Sequence, residues 1–396
     1  MPSPLFQERQ GDSRLWRFYS PALFLFVPVL VAAQIPVRRD SIAPGVVHLT
    51  YQTDTPHSIN VLSFDRSRSN HVLEAYRPKG LVSTSVQVRE NEGENHLVVA
   101  AVNGDFFSFE TGMPVGNQVM NGAFVTGSAS VRSHMGITGN SRPFIERLSF
   151  AGVAAWRGQT VAIDGVNQKR ARGMNVLYNV HGGKMLPADS LGVSIKMRLI
   201  EGWKVADTVR TIVTGRGGDV RRFDGLSEAL LVIDPGVDTG SNPQEGDTIR
   251  LFLGFKGDER RYTQVLGGGG RILEEGRIVG DGNQGQEGIR ARFFTDRHPR
   301  TFVGFDLDTA TVFLCTVDGR QASSAGMNFR EMGEFLLQIG VWNAVNLDGG
   351  GSTTMVVRYT VVNSPSDSTG ERPVANSLHL ILKEMTDHNH EKSHEN

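Results

Sequence analysis

Apolar side chains recur at every second residue in "GVVHLTYQ", "SINVLSFD" and "HVLEAYR", and this period of two constrains the fold more than any other feature. Extended backbone sends successive side chains to opposite faces, so each segment reads as a strand with one buried face. "HLVVAAV" is apolar throughout and predicts a strand buried on both faces, with "NGDFF" emerging at its end. The turn signals "PVGN", "NGAF", "IDGVN", "HGGK", "DPGV" and "LGGGGRIL" punctuate the middle of the chain, in keeping with a total of 46 glycines. The clearest helix spans Asn328 to Ile339. Phe329, Met332, Leu336 and Ile339 recur there at helical spacing, Asn328 can cap the start and Gly340 the end. The expected class is α+β, with β-rich mixed or antiparallel sheets and few helices.

The first residues read as an export signal. Arg9, Arg14 and Arg17 precede the apolar run "ALFLFVPVLVAA", and Val31-Ala32-Ala33 offers small residues for cleavage after Ala33. A secreted or periplasmic protein beginning at Gln34 is expected, without stable membrane insertion after cleavage. The competing reading, an uncleaved anchor, meets a short run interrupted by Pro28. Residues 34–96 then read as a β-rich segment packing on a catalytic domain at 97–383, and 384–396, "DHNHEKSHEN" from Asp387, as a polar tail. Cys315 is the single cysteine, so no intrachain disulfide can staple the fold. Forty-one Lys plus Arg against 42 Asp plus Glu leave no charge excess that would call for a nucleic-acid or membrane partner.

The chemistry is concentrated at two corners. "AVNLDGGGSTTMVV" sets Asp348 against Gly349, Gly350 and Gly351, where an ordinary hairpin needs one or two glycines. Three also let a ligand reach bare backbone N–H groups. A β-branched strand follows, not a helix, and no Gly-Lys-Ser/Thr signature is present, which removes the phosphate loop of nucleotide hydrolases. No His-Glu-x-x-His, Gly-x-Ser-x-Gly or Cys/His zinc pattern occurs. Asn346-Leu347-Asp348 is echoed by Asn103-Gly104-Asp105. Each corner could present an amide and a carboxylate together, and two carboxylates converging on one cleft suit glycoside hydrolysis. A third element is "RHPRTFVGFD", where Arg300 has the planar fork suited to a phosphate or carboxylate, with His298 beside it. Either residue alone is equally compatible with a structural role.

"NGDFF", "HPRTFVGFD", "NFREMGEFLLQIG", "NLDGGGSTTMVV" and "VVNSPSDSTGERPVANSL" occur in this order, and together the chain resembles the phosphodiester glycosidase family. "GMPVGNQVMNG", "VNQKRARGMNVLYN" and "GGGGRILEEGRIV" extend the resemblance from about Gly45 to Leu382. It implies cleavage between a sugar's anomeric carbon and a phosphodiester oxygen, on a sugar-phosphodiester glycan or glycoconjugate, releasing free sugar and a phosphomonoester. Asp348, Asp105 and Arg300 are the implied catalytic residues. Asn103, Gly104, Asn346, Gly349, Gly350, Gly351, Ser352, Thr301, His298 and Arg372 are the implied substrate contacts, with the glycine N–H groups, Ser352 and Arg300 forming an anion cradle. Phe302 departs from the family pattern, standing where a smaller residue is usual after Arg-Thr, and is expected to alter the local pocket shape. No cofactor is implied. The alternatives are a carbohydrate- or phosphopolymer-binding protein without turnover, and a metal-assisted phosphodiesterase with Ca²⁺ held by Asp105 and Asp348.

Overall fold

A computed structural model describes residues 34–53, 55–68, 71–186, 192–217, 223–237, 240–279 and 287–383. The expected export signal and polar tail lie outside these residues. Strands dominate, forming two eight-stranded and two five-stranded sheets. Pairing is antiparallel apart from a short parallel contact between Gly165–Val166 and Val176–Asn179. The β-rich expectation therefore holds, while helices are too few and short to support the α+β label. No helix of the described residues is long and apolar enough to cross a membrane.

The first eight-stranded sheet carries Arg38–Ala43, Val46–Gln52 and Ser58–Asp65 in direct continuity with Thr311–Val317, Arg300–Phe305 and Asn343–Asn346. The N-terminal strands thus share backbone hydrogen bonds with those that carry Arg300 and Asn346. One face of this sheet is covered by the helix Phe329–Gln338. Phe329, Met332, Phe335 and Leu336 pack there with Phe294, Phe302 and Cys315, each large side chain contributing about 1.5–3 kcal/mol on burial. The helix starts as its sequence dictates. Asn328 Oδ1 accepts from the Glu331 N–H at 2.9 Å, and Glu331 Oε2 accepts from the Asn328 N–H at 3.0 Å, a reciprocal capping box. Gly340 follows at φ 87°, a conformation that costs glycine least.

The strand His96–Asn103 belongs to a different, five-stranded sheet, between Met355–Val357 and Ser377–Lys383. Its residues from Val98 to Asn103 are all buried, as the unbroken apolar run predicts. The two Asn-x-Asp corners therefore leave two different sheets. The second eight-stranded sheet runs through Phe150–Trp156, Thr248–Phe255 and Glu228–Ile233 and has its own core around Leu177, Leu231, Leu251 and Phe255.

Candidate active site

The two corners are hydrogen-bonded to each other. The Asp348 N–H donates to the Gly104 carbonyl at 2.9 Å, and Asn103 Nδ2 donates to the Asp348 carbonyl at 2.8 Å. Asn103 Oδ1 in turn accepts from Thr301 Oγ1 at 2.6 Å and from the Thr354 N–H at 3.0 Å. Asn103 and Thr301 are both buried and committed to this brace, so the structure gives them a joining role and no route to a ligand. Asn346 is likewise fully buried, its Nδ2 donating to the Gly269 carbonyl at 3.1 Å. It does not share an open face with Asp348. Gly104 sits where a Cβ would collide with Asn376, whose Oδ1 accepts from the Asp105 N–H at 2.8 Å.

Asp348 opens onto a pocket of about 270 Å³ lined by Phe106, Phe293, His298, Arg300, Arg320, Arg372 and the three glycines, among others. Three arginines line the same pocket as this carboxylate. Burial pushes the Asp348 carboxyl up to about 6; hydrogen bonds from Ser352 and the Gly349 N–H, and the charge of Arg372, oppose the rise. Asp105 lies behind the pocket, 1 % exposed. Its Oδ2 accepts from the Gly116 N–H at 2.6 Å, while Oδ1 has no partner among the described residues. Burial raises its carboxyl to about 7; the Gly116 hydrogen bond and Arg132 work against this, and Asp348 adds to it. The two carboxylates feel each other, yet only Asp348 reaches the pocket wall.

The glycine run is explained differently from the expected cradle. The Gly349 N–H donates to Asp348 Oδ1 at 2.9 Å, the Gly350 N–H to the Pro299 carbonyl at 2.9 Å and the Ser352 N–H to the Gly349 carbonyl at 3.2 Å. Among the described residues the Gly351 N–H has no such partner. Close approach is what each glycine allows. A Cβ at Gly349 would lie 2.6 Å from the Pro299 carbonyl oxygen, one at Gly350 would lie 3.1 Å from Arg320 Nη2 and one at Gly351 would collide with Asp367 and Arg372. Gly350 also has φ 63°, which disfavours any side chain.

The arginines differ in how free they are. Arg300 is fully buried, donates from Nε to the Met327 carbonyl at 3.1 Å and from Nη2 to the carbonyls of Phe293 and Asp296 at 2.6 and 2.9 Å, and lies between the rings of Phe293 and Phe329. Its main commitments are structural, although it still touches the pocket. Arg320 is exposed, forms no ion pair among the described residues and holds a left-handed backbone at φ 60°, a strain that clusters at functional sites. Nothing in "TVDGRQ" marks it by local pattern, and the sequence reading passed over it. Arg372 is paired with Asp367 and reaches Ser352 Oγ at 3.5 Å. His298 lines the pocket half-buried, and desolvation together with Arg300 and Arg320 lowers its basicity. Phe302 is buried in the core against the helix and not in the pocket wall, so its departure from the family pattern leaves the pocket lining untouched. Among the described residues no group of three or more His, Cys, Asp or Glu could hold a metal.

Comparison with known proteins agrees with the sequence resemblance. Residues 224–381 match the family described as phosphodiester glycosidase. The N-acetylglucosamine-1-phosphodiester alpha-N-acetylglucosaminidases of Bos taurus and Homo sapiens are 40% and 37% identical to this chain over 116 residues, 28% of this chain and 22% of each relative. The chain thus spans about a fifth of the length of these relatives. Two solved structures share the fold. A hypothetical protein from Synechocystis superimposes with a TM-score of 0.68 at 17% identity, over 88% of this chain and 64% of that one. A Burkholderia pseudomallei K96243 protein described as exported gives 0.61 at 21%, over 82% and 74%. The segment 224–381, which carries Arg300, Arg320, Asp348 and Arg372, is the part of this chain similar to the phosphodiester glycosidase family.

Proposed function

We propose that this protein hydrolyses the bond between a sugar's anomeric carbon and a phosphodiester oxygen, releasing free sugar and a phosphomonoester. The single observation that carries this reading is the half-buried Asp348 at the wall of a pocket ringed by Arg300, Arg320 and Arg372. A lone reactive carboxylate among cations suits a substrate that brings its own negative charge. The sugar is of the N-acetylglucosamine kind, by the names of the mammalian relatives. The N-terminal "ALFLFVPVLVAA" supports action outside the cytoplasm, after cleavage following Ala33.

In this reading the Asp348 carboxylate attacks the anomeric carbon, and water then cleaves the resulting glycosyl ester to free both sugar and carboxylate, or it takes the proton of a water that attacks directly. The carbon–oxygen bond breaks and its electron pair leaves with the phosphate oxygen. A phosphomonoester has a second pKa of about 6, so the departing oxygen is a weak base and hardly needs an enzymic acid. Arg320 and Arg372 hold the phosphate and offset its growing charge, which is electrostatic stabilisation of the transition state. Asp105 acts from behind: near neutral pH it carries a proton part of the time, and its charge state tunes Asp348. Incubation with a panel of sugar-1-phosphodiesters, including UDP-sugars, tests the reading. Free sugar plus phosphomonoester is expected, and binding without any product would favour the non-catalytic alternative.

A further inference from the structure

The third glycine of the corner lies beneath an ion pair. Arg372 donates from Nε to Asp367 Oδ2 at 2.8 Å and from Nη2 to Oδ1 at 3.0 Å, a planar two-point contact. Because a Cβ at Gly351 would collide with both Asp367 Oδ1 and Arg372 Nη2, the pair rests directly on the corner's backbone. The remaining arm, Nη1, donates to Ser352 Oγ at 3.5 Å, and the Ser352 hydroxyl hydrogen-bonds Asp348. A continuous path therefore runs from Asp367 through Arg372 and Ser352 to Asp348.

Resting on the reading of Asp348 as the reacting carboxylate, we propose that Asp367 is a positioning residue: its two-point pair holds Arg372 across Gly351, so that the guanidinium stays beside Ser352 and Asp348. An unheld arginine spreads over many rotamers, and a charge that wanders stabilises neither a carboxylate nor a bound phosphate. The charged and titratable groups facing Asp348 are Arg372, Arg300, Arg320 and His298 around the pocket and Asp105 behind it. Arg372 is the cation that favours the ionised form of Asp348. Asp367 carries the opposite charge, so its two effects on Asp348 have opposite signs. As a charge it weakens the field of Arg372; as a holder it keeps that field in place.

The sign of one titration separates them. In Asp367→Asn, ¹³C NMR of the Asp348 carboxyl in the full chain should show its midpoint moving up by about 1 pH unit, the low end of what a neighbouring opposite charge does to a carboxylate. KM should rise several-fold, with kcat nearly kept above the new midpoint. Gly351→Ala, which disturbs the same pair from below without touching either charge, should shift the midpoint in the same direction, and Asp367→Glu should recover part of it. A midpoint unchanged or lowered in Asp367→Asn overturns the proposal, as does a Gly351→Ala protein that titrates like the wild type. The titration needs no turnover. Failure to cleave any sugar-1-phosphodiester would sink the proposed function separately.

Discussion

The Asp348 N–H donates to the Gly104 carbonyl across 2.9 Å, and this bond joins two corners that leave different sheets and lie far apart in sequence. Asn103 strengthens the junction by reaching the Asp348 carbonyl from the same corner. The Asp348 backbone is held on both its amide and its carbonyl side, leaving the side chain as the part that meets the pocket. Rigid support of this kind keeps a reactive group within a fraction of an ångström of its working position.

Asp348→Asn keeps the shape of the side chain and loses its charge. Turnover of a sugar-1-phosphodiester should fall by at least about 100-fold, the lower range for removing a nucleophile or general base. Thermal melting should stay close to wild type. A variant that retains most of its activity would remove Asp348 from the chemistry.

Burial lifts Asp348 to about 6, and the proposed mechanism uses its ionised form. The acid limb of kcat/KM should therefore lie near pH 6, not near the ordinary carboxylate range. Asp105 loses its proton around 7 and adds a second negative charge nearby, so the limb belongs to a coupled pair. A pH–rate profile flat down to about pH 4 would contradict this assignment.

Asp105 makes a prediction about stability. Its folded-state carboxyl is raised to about 7 from an ordinary 3.8, so the stability it provides is complete below about 3.8. That stability is lost as pH rises through 7. Asp105→Asn removes the cost of the buried charge. Melting curves should show a gain at pH 8 that vanishes near pH 4, alongside reduced activity. An equal gain at both pH values would mean that relief of charge is not the cause.

Arg300 and Arg320 should separate cleanly. Arg300→Lys strips planar donors from the carbonyls of Met327, Phe293 and Asp296, and each buried acceptor left unsatisfied costs about 1–3 kcal/mol. Its first effect is a lower melting temperature. Arg320→Met should leave melting nearly unchanged and weaken phosphate affinity by roughly 10-fold or more, measured by calorimetry, as expected for loss of a charged hydrogen bond. The reverse pattern would exchange their roles.

Much of the fold was legible because its signals are local. The alternating strands, the helix cap at Asn328 and the all-apolar strand ahead of Asn103 each depend on near neighbours in sequence. The corners at Asp105 and Asp348 were legible for the same reason, as polar residues and glycines that interrupt strands. What decided their detail was long-range. Whether a glycine's N–H faces a ligand or the Pro299 carbonyl depends on a segment just over fifty residues earlier in the chain, and the run's close approaches to Arg320, Asp367 and Arg372 exist only after folding. Arg300 stands beside a proline in a recognisable motif that points to it as an anion ligand, whereas Arg320, the freer cation, has no such pattern around it.

The most direct test of the central claim is the site of bond cleavage, read by running the reaction on a sugar-1-phosphodiester in H₂¹⁸O and analysing the released phosphomonoester by mass spectrometry. Attack at the anomeric carbon beside Asp348 leaves the phosphate with its original oxygens, so the account predicts an unlabelled phosphomonoester and a free sugar. Incorporation of ¹⁸O into the phosphate, with or without release of sugar-1-phosphate, would place the cleavage at phosphorus and contradict it.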